Sequence, residues 1–572
     1  EYLEVAMGVA SGVAVPRAAC AAVVALIVAL LAPGVEPWSI APGSAVRSRV
    51  GLGRPRRGGS SRARSGALGA SPVEEVDALV IGSGVSGSCH AFHLARNHGV
   101  EKVLLCERNP VVGGNCISKS NEDGFIWEEG PNSFQPTPAI MRTVHELGIT
   151  DQLVLADGTL PRFVYWDGIL HALPTNLPKD LLTFFLLSWP GKIRAGLGAL
   201  GFIAPPPPPP YEESIREFVT RHLGAEAFEK LIDPFVSGVY AGDPDSLAMR
   251  AALKKIYRLE GLGDFGPGLV SGAVSRFQEI AQEKVDNPPD PAWPTYKSGE
   301  LGSFKRGLQT LPNAVAEFLG KDRVRTEWEV KDVVPVPAPD GSRGSGYDVT
   351  FLTPEGERTV RAKSVMLTAP TRVACKVASG VVPKAELLSK VYSPPVASVT
   401  MAYPRSAFRD LPGGTPGRPL RGFGHLLPRK MKIRSLGTIW SSALFPGRAP
   451  DGYELLLTYI GGARDTGIAD MSEDEIFEQV DADNKKVLLK PDAGPGIRVG
   501  LRVWNAAIPQ YERGHLELLK ELDEDEVNAP GFFLGGNYRT GVAFGDCVQF
   551  GLDSATQVAT YLESTTATRW PS

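Results

Sequence analysis

The chain has 572 residues, of which 43% are hydrophobic and 22% are charged, so it is long enough for two or three globular domains with substantial cores. Its formal net charge of −4 at pH 7 gives no basic face of the kind that nucleic-acid binding requires, and we predict no nucleic-acid partner. The six cysteines form no CxxC pair and the eight histidines form no HExxH motif, which argues against a disulfide framework and against a metal centre.

Residues 1–72 have the composition of a targeting leader rather than of a folded domain. The run from Ala18 to Ala32 is apolar, too short for a comfortable membrane span and of the right length for the core of a signal peptide. After Glu36 the chain is rich in arginine and serine and has no acidic residue until Glu74, which is typical of a transit peptide. The combination predicts a bipartite leader, as used for plastids with extra bounding membranes. A plain secretory signal with a basic linker is the alternative.

A dinucleotide-binding fingerprint follows the leader. A strand-like run, Asp77 to Ile81, precedes GSGVSG, and a helix-like run, Ser86 to Asn97, follows it, which is the context that this motif requires. The glycines allow a tight turn and let a pyrophosphate approach the helix N-terminus. Glu107 lies 20 residues beyond Gly87 and ends a second strand, where an acid accepts ribose hydroxyls and argues against a 2′-phosphate. The predicted contacts are Gly82, Ser83, Gly84, Val85, Ser86, Gly87, Glu107 and Arg108.

A second glycine turn follows Glu107. The first fingerprint alone does not distinguish a nicotinamide cofactor from a flavin cofactor. Gly113, Gly114 and Asn115 resemble the second glycine turn of the flavin-dependent amine oxidase superfamily, and the run Phe532 to Ala555 resembles the superfamily's C-terminal return to the flavin. A structural βαβ turn is the alternative. The resemblance implies FAD as the cofactor, with further contacts at Gly113, Gly114, Asn115, Gly130, Pro131, Asn132, Ser133, Val330, Trp504, Gly541, Val542, Ala543 and Phe544.

The next two segments predict a β-hairpin and then an apolar helical region. Leu160 to Pro174 alternates aromatic and turn residues, which predicts a β-hairpin around Asp167 and Gly168. Leu177 to Ala204 is apolar but interrupted at Pro190, so it is too broken for a transmembrane helix. We predict two amphipathic helices that lie in a membrane interface, with a buried helical pair as the alternative.

The rest of the chain predicts a helical stretch and then a mixed sheet. Pro205 to Pro210 cannot be helical, whereas Glu213 to Ile232 has apolar residues at helical spacing. Gly261 to Gly302 is rich in glycine, proline and polar residues, which predicts an irregular excursion that carries little chemistry. Val365 to Pro370 resembles the strand that returns to the dinucleotide domain, and the runs from Val396 to Ile460 predict an antiparallel sheet.

Several longer motifs make the resemblance specific to the plastid type of oxygen-dependent protoporphyrinogen oxidases. It extends from about Val76 to Leu562, and no single motif carries it. The family implies oxidation of protoporphyrinogen IX to protoporphyrin IX by FAD, with O2 as acceptor and H2O2 as product, six electrons passing in three flavin cycles. The motifs are WEEGPNSFQP (Trp127–Pro136), LPRFVYWDG (Leu160–Gly168), DPFVSGVYAGDPDSLAM (Asp233–Met249), RGFGHLLP (Arg421–Pro428), GTIWSSALFPGRAP (Gly437–Pro450) and AIPQYERGH (Ala507–His515).

The same resemblance implies four substrate contacts. Arg162 matches the anchor for a propionate, for which a guanidinium fork is the natural partner. Phe423 matches the aromatic residue that stacks on a pyrrole ring, and Val396 matches the apolar residue on the opposite side. Gly238, in the VSGVYAG turn, matches the glycine whose carbonyl faces the macrocycle. Each assignment has an alternative: a surface ion pair for Arg162, core packing for Phe423 and Val396, and a structural turn for Gly238. Hydride transfer to a flavin needs positioning, so we predict no catalytic acid, base or nucleophile.

The predicted fold class is α/β, with a Rossmann-like FAD-binding domain, a mixed-sheet substrate domain and a helical membrane-associating insertion. The predicted boundaries are 1–72 for the leader; 73–156, 296–375 and 500–565 for the FAD-binding domain; 157–174 and 376–499 for the substrate domain; and 175–295 for the insertion.

The resemblance also implies partners and a location. A plastid membrane surface is the predicted location, and a homodimer and a downstream ferrochelatase or magnesium chelatase are open as partners. Two alternatives of function also stay open: an FAD-dependent oxidase of the same superfamily that acts on an amine or a carotenoid, and a flavin-free binder like the escort proteins of prenylated GTPases.

Overall fold

The computed structural model describes residues 73–174, 180, 183–263, 268–337, 343–415 and 417–566, so the predicted leader lies outside the described residues. In chain order the strands are β1 (Glu74–Ile81), β2 (Val103–Cys106), β3 (Ser118–Ser120), β4 (Ile126–Glu128), β5 (Leu153–Ala156), β6 (Arg162–Trp166), β7 (Ile169–Ala172), β8 (Leu301–Phe304), β9 (Val324–Arg325), β10 (Glu329–Pro337), β11 (Arg343–Thr353), β12 (Gly356–Leu367), β13 (Val396–Pro404), β14 (Gly424–Leu426), β15 (Ser435–Trp440), β16 (Tyr453–Gly461), β17 (Ile497–Trp504) and β18 (Phe532–Leu534).

The α-helices of eight or more residues are α1 (Val85–Asn97), α2 (Pro138–Glu146), α3 (Trp189–Ala199), α4 (Ile215–Leu223), α5 (Asp233–Tyr240), α6 (Lys254–Leu262), α7 (Leu269–Asp286), α8 (Thr310–Leu319), α9 (Thr371–Ala378), α10 (Glu473–Val487), α11 (His515–Glu526) and α12 (Phe544–Thr566). Shorter helical turns lie at Ala225–Ala227, Met249–Ala252 and Ser441–Leu444. Among the helices of the described ranges, none combines the length and the apolar character that a bilayer span needs.

The first sheet is the predicted dinucleotide-binding sheet. Its strand order is β10-β11-β12-β1-β2-β9, with β18 paired to β12, and β1 pairs in parallel with both β2 and β12. Alternate β1 residues face opposite sides: Ala78 and Val80 pack with α1, α8 and α12, whereas Leu79 and Ile81 pack with α9 and α11. Because helices cover both faces, β1 is an apolar run rather than an alternating one.

The second sheet has the order β17-β13-β16-β15-β14-β6-β7 and is mostly antiparallel. The hairpin predicted around Asp167 and Gly168 is confirmed, since β6 pairs with β7 and both turn residues have positive φ. Strand β17 pairs with β13, with Trp504 opposite Val396. The boundary predicted at residue 500 therefore falls inside a strand of the second sheet. The sequence could not show this, because composition does not reveal the strand with which β17 pairs.

The segment between β7 and β8 is helical, as predicted, but its details differ. Pro190 does not break a helix; it lies in the first turn of α3, where a missing N–H has no consequence. The helix predicted over Glu213 to Ile232 is divided at Gly224, whose φ is 86°. The irregular excursion predicted from Gly261 to Gly302 was wrong, because it contains the 18-residue helix α7. The first of the two predicted interfacial helices, between Leu177 and Pro190, lies partly outside the described residues. Its described stretch from Phe184 to Ser188 forms turns rather than a helix, so the prediction was wrong there.

Candidate active site

A large cavity lies where the two sheets and the helical segment meet. Its volume is about 1230 Å3. Most of the predicted FAD and substrate contacts line it, whereas Ser83, Arg162 and Phe423 do not. The lining contacts are Gly82, Gly84, Val85, Ser86, Gly87, Glu107, Arg108, Gly113, Gly114, Asn115, Gly130, Pro131, Asn132, Ser133, Gly238, Val330, Val396, Trp504, Gly541, Val542, Ala543 and Phe544.

The N-terminus of α1 forms an open cradle at one end of the cavity. Gly84 is its N-cap, and neither a capping side chain nor an acidic residue occupies the first turn. A Cβ at Gly84 would meet no atom within 4 Å, so the space in front of it is free. By contrast, a Cβ at Gly87 would lie 2.0 Å from the Gly82 carbonyl oxygen. Free backbone amides and the helix dipole together suit a pyrophosphate.

Glu107 lines the cavity beside this cradle and is held in a fixed orientation. Its Oε2 accepts hydrogen bonds from the Ser83 amide (3.0 Å) and the Ser83 hydroxyl (2.7 Å). Its Oε1 accepts from the Asn109 amide (2.9 Å) and side chain (2.7 Å). The structure gives Ser83 a different role from the predicted direct contact, since its short side chain turns to Glu107 and does not line the cavity; Asn109, which was not predicted, binds the other oxygen.

The second glycine turn packs directly against the first. Gly113 donates its amide to the Ser83 carbonyl (3.0 Å), and a Cβ at Gly114 would lie 2.9 Å from the Gly84 Cα. Gly130 is equally confined, because a Cβ there would lie 1.8 Å from the Asn115 carbonyl oxygen. These close approaches explain why glycine occupies the three positions.

The segment Gly130–Ser133 forms the central wall of the cavity and is fixed by the second sheet. The Tyr459 hydroxyl donates to the Gly130 carbonyl (2.8 Å), and the Trp504 indole N–H donates to the Glu129 carbonyl (2.7 Å). Asn132 is 6% exposed, and its Nδ2 has no hydrogen-bond partner in the described chain. An unsatisfied buried amide in a cavity wall is what a site for a polar ring system would show.

The C-terminal run closes the same cavity from the opposite side. Gly541 to Phe544 lead into α12, and the Phe544 ring stacks on Phe134 at 5.2 Å between ring centroids. The cradle, the oriented acid and the unsatisfied amide fit a flavin dinucleotide that extends from Glu107 towards Asn132. When bound, FAD supplies a hydride acceptor, so the residues of the chain have to bind and orient rather than provide a nucleophile.

Arg162 and Phe423 lie together just outside the cavity wall. The Arg162 guanidinium carbon is 5.5 Å from the centre of the Phe423 ring, and no described group forms a hydrogen bond or an ion pair with that guanidinium. Burial lowers the pKa of Arg162. Phe423 packs with Ile439, which lines the cavity. The alternative of a surface ion pair for Arg162 therefore finds no support.

Gly238 and Val396 both line the cavity, but the predicted turn at Gly238 was wrong. Gly238 lies in the last turn of α5, where carbonyl groups lack intrahelical partners. A Cβ there would lie 2.5 Å from Leu426 Cδ2, so close packing of α5 on the second sheet also requires a glycine. Val396 is 6% exposed and lies beside Trp504 in the sheet.

Two parts of the site were not predicted from the sequence. Helix α7 contributes Arg276 and Phe277 to the cavity wall, and β16 contributes Tyr459. The apolar residues of α7 recur at helical spacing, which could have indicated a helix, but nothing in the sequence indicates which side of it faces the cavity. Among the described residues, no group of three histidine, cysteine or acidic side chains could hold a metal ion.

Comparison with known proteins decides the family. The family of flavin containing amine oxidoreductases matches residues 85–559. A chloroplastic protoporphyrinogen oxidase of Oryza sativa subsp. japonica is 44% identical over 493 residues, covering 85% of this chain and 88% of that protein. Chloroplastic protoporphyrinogen oxidase 1 of Arabidopsis thaliana is 41% identical over 532 residues, covering 90% and 95%. The chain belongs to the protoporphyrinogen oxidase family. It is thus an FAD-dependent oxidoreductase, and a flavin-free escort protein is not supported.

Solved structures of low identity show the fold of this family. A structure from Exiguobacterium sp. 255-15 aligns with a TM-score of 0.65 at 21% identity and covers 86% of this chain and 100% of its own. Cyclohexylamine oxidase from Brevibacterium oxydans IH-35A aligns at 0.56 with 16% identity, covering 85% and 99%. The α/β fold with mixed sheets is therefore confirmed. The same fold also occurs in an amine oxidase, so it does not by itself decide the substrate.

Proposed function

We propose that the chain oxidises protoporphyrinogen IX to protoporphyrin IX in tetrapyrrole biosynthesis. In this proposal O2 reoxidises the bound FAD and H2O2 leaves, and three two-electron cycles remove six electrons. The observation that carries it is the identity of 41–44% to chloroplastic relatives whose names state this activity. The resemblance extends over the FAD cradle and the cavity wall alike, so cofactor and substrate sites are inherited together.

The size and lining of the cavity support a large second molecule beside FAD. A pocket for one drug-sized ligand has roughly 300–1,000 Å3, and this cavity has about 1230 Å3. Val396, Leu436 and Ile439 give the part on the second sheet an apolar character, which suits a tetrapyrrole macrocycle. Beside it, the guanidinium of Arg162 is a charged group without an acid of its own, and we assign it to a propionate. Phe423 is assigned the position beside that guanidinium, and its stacking on a pyrrole ring stays a prediction.

We further propose that helix α3 rests in a membrane interface. Its inner face has the small residues Ala195, Gly196, Gly198 and Ala199 together with the buried Lys192, and a Cβ at Gly198 would lie 1.5 Å from the His222 carbonyl oxygen. Its outer face presents Trp189, Ile193 and Leu197 at successive turns, with exposures of 56%, 54% and 39%. Contiguous exposed apolar side chains of this size are a feature of interaction surfaces. We assign this face to a bilayer surface, because the proposed substrate is an apolar macrocycle that partitions into membranes.

The chloroplastic relatives support a plastid location for the chain. The leader over residues 1–72 is proposed to direct it there, and import of a reporter fused to residues 1–75 into isolated plastids tests that assignment. A reporter that stays outside would contradict it. The predicted homodimer and chelatase partners stay predictions.

The proposed reaction is tested with the FAD-loaded protein under air. Incubation with chemically reduced protoporphyrinogen should produce porphyrin fluorescence together with about three molecules of H2O2 for each porphyrin formed, because each flavin cycle removes two electrons. A cyclic amine and a carotenoid serve as alternative substrates for the same fold. An FAD-loaded protein that turns over one of these but not protoporphyrinogen would overturn the proposal.

A further inference from the structure

A buried ion pair lies directly behind the flavin-facing wall and outside the cavity. Glu128 and Arg448 are 2% and 3% exposed, and the Arg448 NH1 lies 3.3 Å from Glu128 Oε1. The same Oε1 accepts the Leu308 amide (3.0 Å), and Oε2 accepts the Ser118 hydroxyl (2.6 Å). The other terminal nitrogen of Arg448 donates to the Ser303 hydroxyl (2.8 Å). Both charges are thus satisfied by fixed partners, as a buried pair requires.

The pair joins parts of the chain that are far apart in sequence. Glu128 ends β4, two residues before Gly130, where the cavity wall begins. Arg448 lies in the loop that leads into β16 of the second sheet, and its carbonyl accepts the Ile126 amide (3.0 Å). The pair therefore connects the strand that leads to the FAD-facing wall with the sheet that carries the proposed substrate contacts.

Neutral hydrogen bonds reinforce this connection on the cavity side. The Glu129 carbonyl accepts from the Ser398 hydroxyl (2.6 Å) in addition to Trp504, and the Gly130 carbonyl accepts from Tyr459. All three donors belong to the second sheet. Moving Glu128 would strain each of these bonds, because only one peptide unit separates its Cα from that of Glu129.

We propose that the Glu128–Arg448 ion pair is a positioning element that sets the Glu129–Ser133 wall against bound FAD and so controls flavin affinity and geometry. Neither residue lines the cavity, and the effect is transmitted through Glu129 and Gly130. This role requires the FAD site but no particular substrate. A negative result would therefore leave the proposed reaction untouched, and a failure of that reaction would leave the ion pair untouched.

The charge state of the pair should make flavin binding depend on pH. Burial raises the pKa of Glu128 to about 7, against the opposing effect of the Arg448 guanidinium and of the hydrogen bonds from Ser118 and Leu308. Burial also raises the pKa of the neighbouring Tyr459 and that of Cys116, so both stay neutral in this range. Above pH 7 the ion pair is complete, whereas below it Glu128 is protonated and the Arg448 charge loses its partner.

The test measures FAD dissociation from the holoprotein between pH 6 and pH 8, by the fluorescence of released flavin. For the wild type, we expect the dissociation constant to be about tenfold higher at pH 6 than at pH 8, since binding that requires the Glu128 carboxylate weakens by up to about tenfold one pH unit below its pKa of about 7. Glu128→Gln keeps the shape but not the charge. It should show the weaker affinity at both pH values, with a shifted absorption spectrum of the bound flavin.

Arg221→Met is the matched control, because Arg221 forms a largely buried ion pair with Glu213 and Glu260 in the helical segment, and none of the three lines the cavity. It should lower the melting temperature and leave flavin affinity and its pH profile unchanged. The proposal is overturned if Glu128→Gln and Arg448→Met lower the melting temperature in the same way without changing flavin affinity. A wild-type affinity that is constant between pH 6 and pH 8 would overturn it as well, even if neither variant folds.

Discussion

Two glycines of the fingerprint, Gly84 and Gly87, are required for different reasons although they are only three residues apart. Gly84 faces open cavity space, whereas Gly87 touches the backbone of Gly82. Gly84 also has a φ of −61°, which any residue can adopt. The sequence motif treats both as cofactor residues, but only the first is required by the ligand, and the second is required by helix packing.

Substitution of these glycines should separate cofactor affinity from stability. Gly84→Ala should leave the melting temperature of the apoprotein unchanged and reduce FAD content, because the new methyl group enters the pyrophosphate space. Gly87→Ala should destabilise the fold by about 1–3 kcal/mol through overlap with Gly82. Calorimetry of the apoprotein and flavin absorbance of the holoprotein distinguish the two. Equal losses of stability in both variants would contradict this division.

Arg162 is the side chain on which substrate recognition depends most in the proposed function. Arg162→Ala should raise KM for protoporphyrinogen by about 10- to 100-fold, the value of a hydrogen bond between charged groups, and leave FAD content unchanged. Arg358→Ala, at an exposed position of β12 in the first sheet, is the control and should behave as wild type. Loss of flavin from the Arg162 variant would show that the residue is structural instead.

The candidate site shows which single residues a sequence can identify. The predicted glycines and Glu107 line one cavity, and the sequence could place them there because they follow a fixed local spacing. The hydrogen bonds of Ser83, Asn109 and Tyr459 could not be predicted, because their partners are set by the fold. Ser83 and Asn109 share the carboxylate of Glu107, and Tyr459 reaches Gly130 from another sheet.

Among the helices, α3 and α7 differed most from what their sequences indicated. The apolar run around Trp189 was correctly predicted to be helical, but the start of the helix was not predicted. Ser188 caps the helix, and Pro190 fits its first turn. Helix α7 was missed because glycine and proline at its borders dominated the composition of the segment. Strands β1 and β2 could be predicted, because the apolar runs at the end of β1 and throughout β2 are buried in the structure.

The exposed face of α3 permits a direct test of membrane association. Replacing Trp189, Ile193 and Leu197 together by serine should reduce binding to plastid-lipid vesicles by at least about tenfold, since each removes roughly 1.5–3 kcal/mol of burial in the membrane interface. Activity in detergent should persist, because these side chains lie outside the cavity. Replacing the exposed Val334 and Leu352 of the first sheet is the control. Unchanged vesicle sedimentation of the triple variant would contradict the interfacial role.

On the scale of the complete fold, the FAD site is assembled from stretches that begin near Gly82, Val330 and Gly541 and is closed by Trp504 of the second sheet. The order of the glycine motifs made the first domain predictable. The motifs did not predict the position of β17. This strand is the edge of the second sheet, and the chain continues from it directly into the next segment of the FAD-binding domain. Domain boundaries in such an interleaved chain are defined by strand pairing rather than by composition.

Because one ligand contacts so many separated stretches, cofactor binding should stabilise the entire fold. Free FAD at about 100 times its dissociation constant should add about 2.7 kcal/mol to the free energy of unfolding. The melting temperature should then rise by several degrees on reconstitution of the apoprotein, while FMN, which lacks the adenosine half, should have a smaller effect. Equal stabilisation by FMN would mean that the Glu107 end of the site contributes little.

The most direct test of the proposed oxidase is to mix the FAD-loaded protein with protoporphyrinogen in the absence of O2. The account predicts that the yellow absorbance of bound flavin is bleached within one turnover, and that admission of O2 restores it together with porphyrin fluorescence. Cyclohexylamine should leave the flavin oxidised. A flavin that stays oxidised with protoporphyrinogen, in protein shown to be folded and fully loaded, would contradict the account.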